Sequence, residues 1–352
     1  MNTPPHIHIG SPRDARLVAA WLLVGCVLVA STLILGGVTR LTGSGLSMVD
    51  WEPVGGAVPP FTVEAWEREF AAYQASPEYR LVNRGMSLAE FKRIFRFEYA
   101  HRLLGRVIGL VFIVPFAVFL IRRIIPRPLI PRLLLIFALG GAQGLLGWWM
   151  VQSGLVDVPR VSPYRLTAHL ALAVLVYAIT LWTALTLLRP RAGAAEFDSG
   201  SGRRLGIGSA VVLGLAALTM LSGGFVAGLD AGLVHNTFPR MGSDWIPPDL
   251  FAASPWWLNP FENRTTVQFD HRVLAYLLLA VVTALWWGCA RHAPGAALKW
   301  AHAGFAAVWM QAVLGVATLL LFVPIPLAVL HQANALVLFT ALLGLTFELR
   351  RC

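Results

Sequence analysis

Apolar residues occur in eight long stretches along this chain, separated by segments rich in charged residues, glycine and proline. Each stretch is about 20 residues long, which is the length that an α-helix needs to cross the hydrocarbon core of a bilayer. The pattern predicts an all-α integral membrane protein with eight transmembrane helices, at 17–37, 101–121, 132–151, 165–188, 205–226, 270–290, 299–323 and 326–347.

The polar segments between these stretches follow a pattern that occurs twice. A long segment follows the first predicted helix (38–100) and another follows the fifth (227–269), whereas the other links are short. We therefore predict two pseudo-symmetric four-helix bundles with the same orientation, since four is an even number of crossings. The predicted organisation is a tail at 1–16, an N-terminal half at 17–190, a linker at 191–204 and a C-terminal half at 205–349.

Short motifs recur at matching places in the two halves. Glycine pairs end the first helix of each half, a glutamine lies in the third, and a histidine lies in the second and in the fourth. Within 62–96, aromatic residues at helical spacing predict short surface helices. The paired motifs are Gly36-Gly37 with Gly223-Gly224, His101-Arg102 with His271-Arg272, Gln143 with Gln311, and His169 with His331.

The composition and the placement of charge agree with a membrane protein. Hydrophobic residues make up 57% of the chain and charged residues 13%, against about half and about a quarter in soluble proteins. The net charge of +10 comes from the termini and the links that share a side with them. This excess indicates that both termini are cytoplasmic, in the cell inner membrane, and it argues against nucleic-acid binding. The first helix is predicted to be a retained anchor.

Four histidines carry the candidate chemistry. His101 and His169 lie on the second and fourth helices of the first half, and His271 and His331 lie on the same helices of the second half. All four are predicted at similar depth, near the outer face. Two imidazoles on facing helices suit the axial positions of a haem iron, so these are the candidate metal ligands. The alternative is a set of histidines that hydrogen-bond between helices without a metal.

Three arginines are candidates for binding the haem propionates. Arg102 and Arg272 directly follow the first histidine of each pair, and Arg40 lies at the start of the first outer segment. Arginine pairs well with carboxylates. The alternative for each is an interfacial arginine that extends toward lipid headgroups. His235, in the second outer segment, is a further candidate for contact with a cofactor edge.

The two halves differ at one position. Glu98 lies three residues before His101, whereas Gln268 lies three residues before His271. This difference suggests that the first half performs chemistry, with Glu98 as acid/base or electrostatic stabiliser, and that the second holds a haem for electron transfer. The alternative is a glutamate favoured by the helix dipole. A di-iron site, which also uses Glu-x-x-His, would need further glutamates that the predicted helices lack.

These motifs resemble the haem A synthase family, whose members convert haem O to haem A. The similarity extends over nearly the whole chain. The first outer segment contains no cysteine, so the chain is most similar to the cysteine-poor branch found in proteobacteria and mitochondria. The segments that carry the resemblance are 36–48, Glu98-Tyr99-Ala100-His101-Arg102, 143–155, 228–241 and Phe269-Asp270-His271-Arg272.

The resemblance implies an oxidoreductase that oxidises one ring methyl of haem O twice, to a gem-diol that loses water to give a formyl group. By this resemblance His101 and His169 bind the substrate haem, His271 and His331 bind a resident haem b that passes electrons, and Glu98 assists at the reacting methyl. The implied partners are haem O synthase and cytochrome oxidase assembly factors, and a homo-oligomer is left open.

Two other functions remain open from the residues themselves. A dihaem b-type cytochrome that takes electrons from quinol would explain the four histidines but not the difference between Glu98 and Gln268. A repeat-built transporter would call for polar, broken helices near the middle of the membrane.

Overall fold

The computed structural model describes residues 11–51, 55–189 and 199–351. Most of the predicted tail (1–16) and most of the linker (191–204) lie outside these ranges. The described residues form α-helices joined by turns and short 3-10 segments, without a β-strand. The helices are α1 (Pro12–Leu41), α2 (Val63–Gln74), α3 (Pro77–Leu81), α4 (Leu88–Ile121), α5 (Ile130–Gln152), α6 (Pro163–Leu188), α7 (Ser199–Gly228), α8 (Asn259–Glu262), α9 (Arg264–His292), α10 (Gly295–Leu320) and α11 (Ile325–Leu349).

Eight of the described helices are long and apolar enough to cross a membrane: α1, α4, α5, α6, α7, α9, α10 and α11. They correspond one to one with the predicted stretches, so the predicted all-α membrane class is confirmed. Large apolar side chains remain exposed along them, for example Val114 (56%) on α4 and Val313 (62%) on α10. A water-soluble protein rarely leaves so much apolar surface uncovered, whereas lipid covers it at no cost.

Helix α4 begins 13 residues before the predicted start of the second stretch, at Leu88 rather than 101. A capping box sets this start, because the Ser87 hydroxyl accepts from the Glu90 backbone N–H while the Glu90 carboxylate accepts from the Ser87 backbone N–H. His101 therefore lies well inside a continuous helix rather than at its first residue. The first four turns of α4 are amphipathic and project beyond the apolar stretch.

Two compact units make up the chain. One contains Met1–Arg160 and Leu172–Pro190, and the other contains Val161–Ala171 and Arg191–Cys352. These boundaries approximate the predicted halves except at 161–171, the start of α6, which packs with the second unit and carries His169. The division into two four-helix bundles stays a prediction.

In the first unit α4 packs along α1 and also contacts α5. The core includes Trp21 and Leu22 of α1 and Leu133 of α5. The Trp21 indole N–H donates to the Val111 carbonyl at 2.7 Å, which ties α1 to α4. Above these helices, α2, α3 and the start of α4 enclose an aromatic cluster, with the Tyr73 and Phe91 rings 5.1 Å apart.

In the second unit four long helices contact one another in cyclic order: α7 with α9, α9 with α10, α10 with α11, and α11 with α7. The buried core is formed largely by Leu, Val and Ala, with Cys289 fully buried among them. The start of α6 approaches α7 closely, where an added Cβ on Gly228 would lie 2.9 Å from Pro163. The second unit therefore contains the histidine-bearing ends of α6, α9 and α11.

Candidate functional site

His271 and His331 form the candidate site of the second unit. His271 lies seven residues inside α9 and His331 six residues inside α11, and both side chains are half-buried. The two helices that carry them, α9 and α11, both pack against α7 and α10. The structure therefore brings together the second pair of sequence-predicted ligands on two helices of the same four-helix ring.

Ser222 determines which nitrogen of His271 is available to a metal. The Ser222 hydroxyl lies 2.7 Å from Nδ1 of His271 and donates its only proton to the Thr219 carbonyl at 2.8 Å. With its proton directed to the carbonyl, the hydroxyl accepts its second hydrogen bond from a protonated Nδ1, which is the assignment that satisfies both contacts. In this tautomer the lone pair is on Nε2, which is the arrangement that a metal-binding histidine needs. The sequence analysis did not identify Ser222, and its position one residue before Gly223 gave no signal.

Gln311 and Gly315 of α10 position the His331 ring. The Gln311 amide nitrogen lies 3.2 Å from both ring nitrogens, so it can bond one and leave the other to a metal. The Gln311 carbonyl oxygen in turn accepts from the Asn334 amide at 2.8 Å. An added Cβ on Gly315 would lie 2.9 Å from the His331 ring, so only glycine allows the ring this place.

In the first unit His101 packs against α1 in the same way. An added Cβ on Gly36 would lie 2.9 Å from the His101 ring, and one on Gly223 would lie 3.3 Å from the His271 ring. The sequence-matched glycine pairs therefore support the first histidine of each half. Nδ1 of His101 is buried without a hydrogen-bond partner. His169, its predicted partner, is half-buried six residues inside α6 and belongs to the second unit by packing.

Glu98 is 3% exposed and binds the first outer segment to α4. One carboxylate oxygen accepts from the Ser47 hydroxyl at 2.7 Å and from the Met48 backbone N–H at 2.9 Å. The other accepts from Arg102, at 2.6 Å from Nη2 and 3.1 Å from Nε. Because donors occupy both oxygens, this geometry suits an electrostatic and positioning role better than direct proton donation.

Arg102 and Arg272 hold matching loops in their own units. Arg102 donates to the carbonyls of Met48 (2.8 Å) and Asp50 (3.2 Å). Arg272 donates to the carbonyls of His235 (2.8 Å), Thr237 (3.0 Å) and Arg240 (3.3 Å). Each arginine thus fastens the segment after the first helix of its half to the helix that carries the first histidine.

The charge around the two arginines differs. Arg102 forms a salt bridge with Glu98, whereas the corresponding Gln268 donates to the His235 carbonyl at 3.1 Å. No carboxylate pairs with Arg272 among the described residues, and its Nε is buried without a partner. Arg102 therefore has a carboxylate partner beside His101, whereas Arg272 has none beside His271. A haem propionate would compete with a carboxylate for Arg102 but not for Arg272.

The remaining candidates have a less defined environment. Arg40 lies half-buried in the last turn of α1. His235 contributes its carbonyl to Gln268 and Arg272, while Nε2 of its ring is buried without a hydrogen-bond partner. The contact of Arg40 and His235 with a cofactor edge stays a prediction.

The residues fit a haem better than a bare metal ion. Among the described residues no group of three or more His, Cys, Asp or Glu side chains could hold a metal ion. A haem iron needs only axial ligands from the protein, because the porphyrin supplies the others. The orphaned Nδ1 of His101, the tautomer of His271 and the glycines beneath the rings all suit axial imidazoles.

Comparison with known proteins agrees with this chemistry. The chain is 51% identical to the haem A synthase of Nitrosospira multiformis over 336 residues, which cover 95% of this chain and 94% of that protein. It is 47% identical to the haem A synthase of Parvibaculum lavamentivorans, with 96% of each chain covered. It is also 48% identical to the bovine haem A synthase COX15, with 98% of this chain and 85% of that protein covered. The family model COX15-CtaA, described as cytochrome oxidase assembly protein, matches residues 19–343, and the chain therefore belongs to that family.

Proposed function

We propose that this protein is a haem A synthase that oxidises one ring methyl of haem O to a formyl group, with electrons relayed through a bound haem b. The names of the relatives support haem A as the product. The two histidine-bearing sites support separate binding of a substrate haem and an electron-transferring haem. The methyl is oxidised twice, and the resulting gem-diol loses water to give the formyl group of haem A.

The observation that carries this proposal is that Arg102 is paired with Glu98, whereas Arg272 has no carboxylate partner among the described residues. Gln268 leaves the charge of Arg272 unbalanced, so the site at His271 and His331 favours permanent retention of a dianionic haem. Glu98 already occupies Arg102, so this arginine has less attraction left for a propionate beside His101. A substrate must enter and a product must leave, so the balanced site suits haem O.

The chain's own residues have separate tasks in this scheme. His101 and His169 are the proposed ligands of the substrate iron, which would fix the position of the reacting methyl, and Arg40 and Arg102 are the proposed partners of its propionates. Glu98 places a negative charge beside the substrate and fixes the 44–50 segment as a cover that excludes water. Ser222 and Gln311 orient His271 and His331. The resident haem b, when bound to these two histidines, supplies one-electron transfer.

The proposed location is the cell inner membrane, with both termini in the cytoplasm and the histidine-bearing ends of α4, α6, α9 and α11 toward the outer face. The excess of basic residues in the short links supports this orientation. Haem O synthase and cytochrome oxidase assembly factors are the proposed partners.

The test is to express the chain in a host that makes haem O but not haem A, and to analyse the extracted pigments. Haem A should appear, and the purified protein should contain haem b. Glu98→Gln should keep haem bound but stall the conversion. Recovery of haem O and haem b without haem A would instead favour a dihaem b-type cytochrome, and a colourless protein would exclude both functions.

A further inference from the structure

A small cavity lies in the second unit, between the start of α9 and the segment that follows α7. Its volume is about 170 Å³, and all of its lining residues except Arg272 are apolar or aromatic. The proposed chemistry does not use this space. Its main walls are formed by Phe238, Met241 and Trp245 from the segment and by Phe269, Val273 and Tyr276 from α9.

The walls of the cavity are held in place by contacts within the unit. Arg272 fastens the segment to α9 through the three carbonyls described above. The centroids of the Phe238 and Tyr276 rings are 6.3 Å apart, and the guanidinium carbon of Arg240 lies 5.6 Å from the centroid of the Trp245 ring. Aromatic rings are therefore fixed on both walls.

The cavity and His271 lie on different faces of α9. Successive residues of an α-helix are about 100° apart around its axis, so Val273 and Tyr276 lie about 160° and about 140° away from His271. The width of one helix, about 10 Å, therefore separates the cavity from the face that carries the haem ligand. The cavity is not part of the proposed haem site, but it is close enough to exchange electrons with it.

The α9 wall of the cavity belongs to an exposed stripe of a helix that is apolar enough to cross a membrane. Val273 is 45% exposed, Tyr276 46% and Leu277 48%. Apolar side chains that are uncovered on such a helix face lipid. A ligand of this cavity would therefore arrive through the lipid, which calls for a lipid-soluble molecule.

Two polar groups of the cavity lining have hydrogen-bonding capacity to spare. The Tyr276 hydroxyl makes no hydrogen bond to any residue that the structure describes. Arg272 is the charged member of the lining, and its Nε is buried without a partner. A phenol can donate and accept, and a guanidinium donates. An apolar, aromatic cavity with these few polar groups suits an uncharged ring that carries oxygen substituents.

The first half differs from the second at the position of Tyr276. Tyr276 lies five residues after His271, and the residue five after His101 is Arg106. A long charged side chain thus takes the place of an aromatic ring and hydroxyl. The aromatic chemistry of the cavity belongs to the half that is proposed to transfer electrons.

We propose that this cavity binds the head group of a lipid-soluble quinol, which donates electrons to the resident haem b; this inference rests on the proposed function. A volume of about 170 Å³ accommodates one substituted six-membered ring but not the two acyl chains of a phospholipid. When the quinol is oxidised to a quinone, its two O–H bonds break and both protons pass to water. Its two electrons leave one at a time and reduce the ferric iron bound by His271 and His331.

The first experiment measures binding of ubiquinone-1, a quinone with a single isoprene unit, to the purified full-length protein by calorimetric titration. Val273→Trp fills the cavity and should abolish binding. Tyr276→Phe keeps the ring but removes the hydroxyl, so it should weaken binding by about fivefold. Leu277→Trp adds the same large ring to the same exposed stripe, outside the cavity lining. It is the matched control and should bind as the wild type does.

The second experiment measures electron transfer, by adding ubiquinol-1 to the haem-loaded protein without oxygen and following the absorbance of reduced haem b. Reduction should be rapid in the wild type and in Leu277→Trp, and it should be lost in Val273→Trp. Dithionite needs no binding site, so it should reduce all three proteins equally. Reduction of Val273→Trp by ubiquinol-1 at the wild-type rate would overturn the role of the cavity in electron donation.

The binding experiment separates this inference from the proposed function. Absence of haem A from the extracted pigments would overturn the proposed function, while the titration still tests the cavity. No binding of ubiquinone-1, or equal binding by the wild type and Val273→Trp, would overturn the quinol site. A phospholipid that copurifies with the wild type but not with Val273→Trp, in the absence of quinone binding, would assign the cavity to lipid instead. If Val273→Trp does not accumulate, unchanged affinity in Tyr276→Phe would contradict the proposal.

Discussion

At the scale of single residues, hydrogen-bond donors and acceptors determine which histidine atoms remain for iron. The Ser222 hydroxyl has one proton, and when it is donated to the Thr219 carbonyl the imidazole proton of His271 is assigned to Nδ1. Gly36, Gly223 and Gly315 do not bond the histidines but leave the space in which their rings lie. The histidines alone therefore do not define the sites, which also depend on these hydrogen-bond partners and glycines.

Ser222→Ala should weaken haem binding at the second site by about 10- to 100-fold, as is typical when the partner of a metal-binding histidine is removed. The Nδ1 proton then lacks its acceptor, so the ring is free to take the wrong tautomer. Haem titration of the purified apoprotein, followed by absorbance, measures the change. Ser222→Thr keeps the hydroxyl and should restore binding.

Thr283→Val is the control on the same helix as His271, because the Thr283 hydroxyl bonds only a carbonyl of its own helix, that of Leu279 at 2.8 Å. It should bind haem as the wild type does. Equal weakening in Ser222→Ala and Thr283→Val would mean that loss of any hydroxyl in this unit disturbs binding, and the role assigned to Ser222 would be wrong.

At the scale of helices and loops, the sequence predicted the long apolar elements but not their full extent. The predicted second stretch begins at 101, because the preceding turns of α4 are amphipathic and hydropathy does not mark them. Ser87 and Glu90, spaced as a capping box, were the available signal for the start at Leu88. The aromatic spacing at Trp66, Phe70, Phe91 and Phe95 did indicate helices, and these rings pack together.

The sequence also identified Glu98 and Gln268 as the point of difference between the halves, but not what each side chain contacts. Those contacts depend on the outer segments folding back over the helices, and no periodic pattern encodes that arrangement. Ser47 and Met48 are 51 and 50 residues away from Glu98 in the chain. Such pairings become visible only in the folded protein.

The link between α4 and the first outer segment depends on Glu98 more than on any single donor. Ser47→Ala removes one hydrogen bond and should destabilise the segment by about 1 kcal/mol. Glu98→Gln leaves Arg102 without its buried partner and should cost about 3 kcal/mol. Hydrogen exchange at the Met48 amide should therefore accelerate by about fivefold in Ser47→Ala. In Glu98→Gln it should accelerate on the order of 100-fold.

Glu67→Gln provides the control, since it removes an exposed carboxylate on α2 of the same outer segment. Its Met48 amide should exchange at the wild-type rate. If Glu98→Gln also left this amide unchanged, the 44–50 segment would be held by other contacts, and its role as a cover for the substrate site would be lost.

At the scale of the whole molecule, the same construction is found in both units, but the arginine has a carboxylate partner in only one of them. In each, a glycine of the first helix supports the first histidine, and the arginine that follows this histidine fastens the outer segment. Repetition explains why two similar sites exist. The replacement of a carboxylate by an amide at the position of Gln268 explains how they could differ in affinity for an anionic haem.

Gln268→Glu tests this explanation directly, because it gives the second site the charge balance of the first. The new carboxylate should pair with Arg272 and reduce its attraction for propionates, so retention of haem b should weaken by about tenfold. The haem-to-protein ratio after purification from a host without haem O measures this loss. Gln268→Ala removes the hydrogen bond to the His235 carbonyl without adding charge, so it should retain more haem than Gln268→Glu. Equal loss in the two variants would show that the hydrogen bond, and not the charge, distinguishes the resident site from the substrate site.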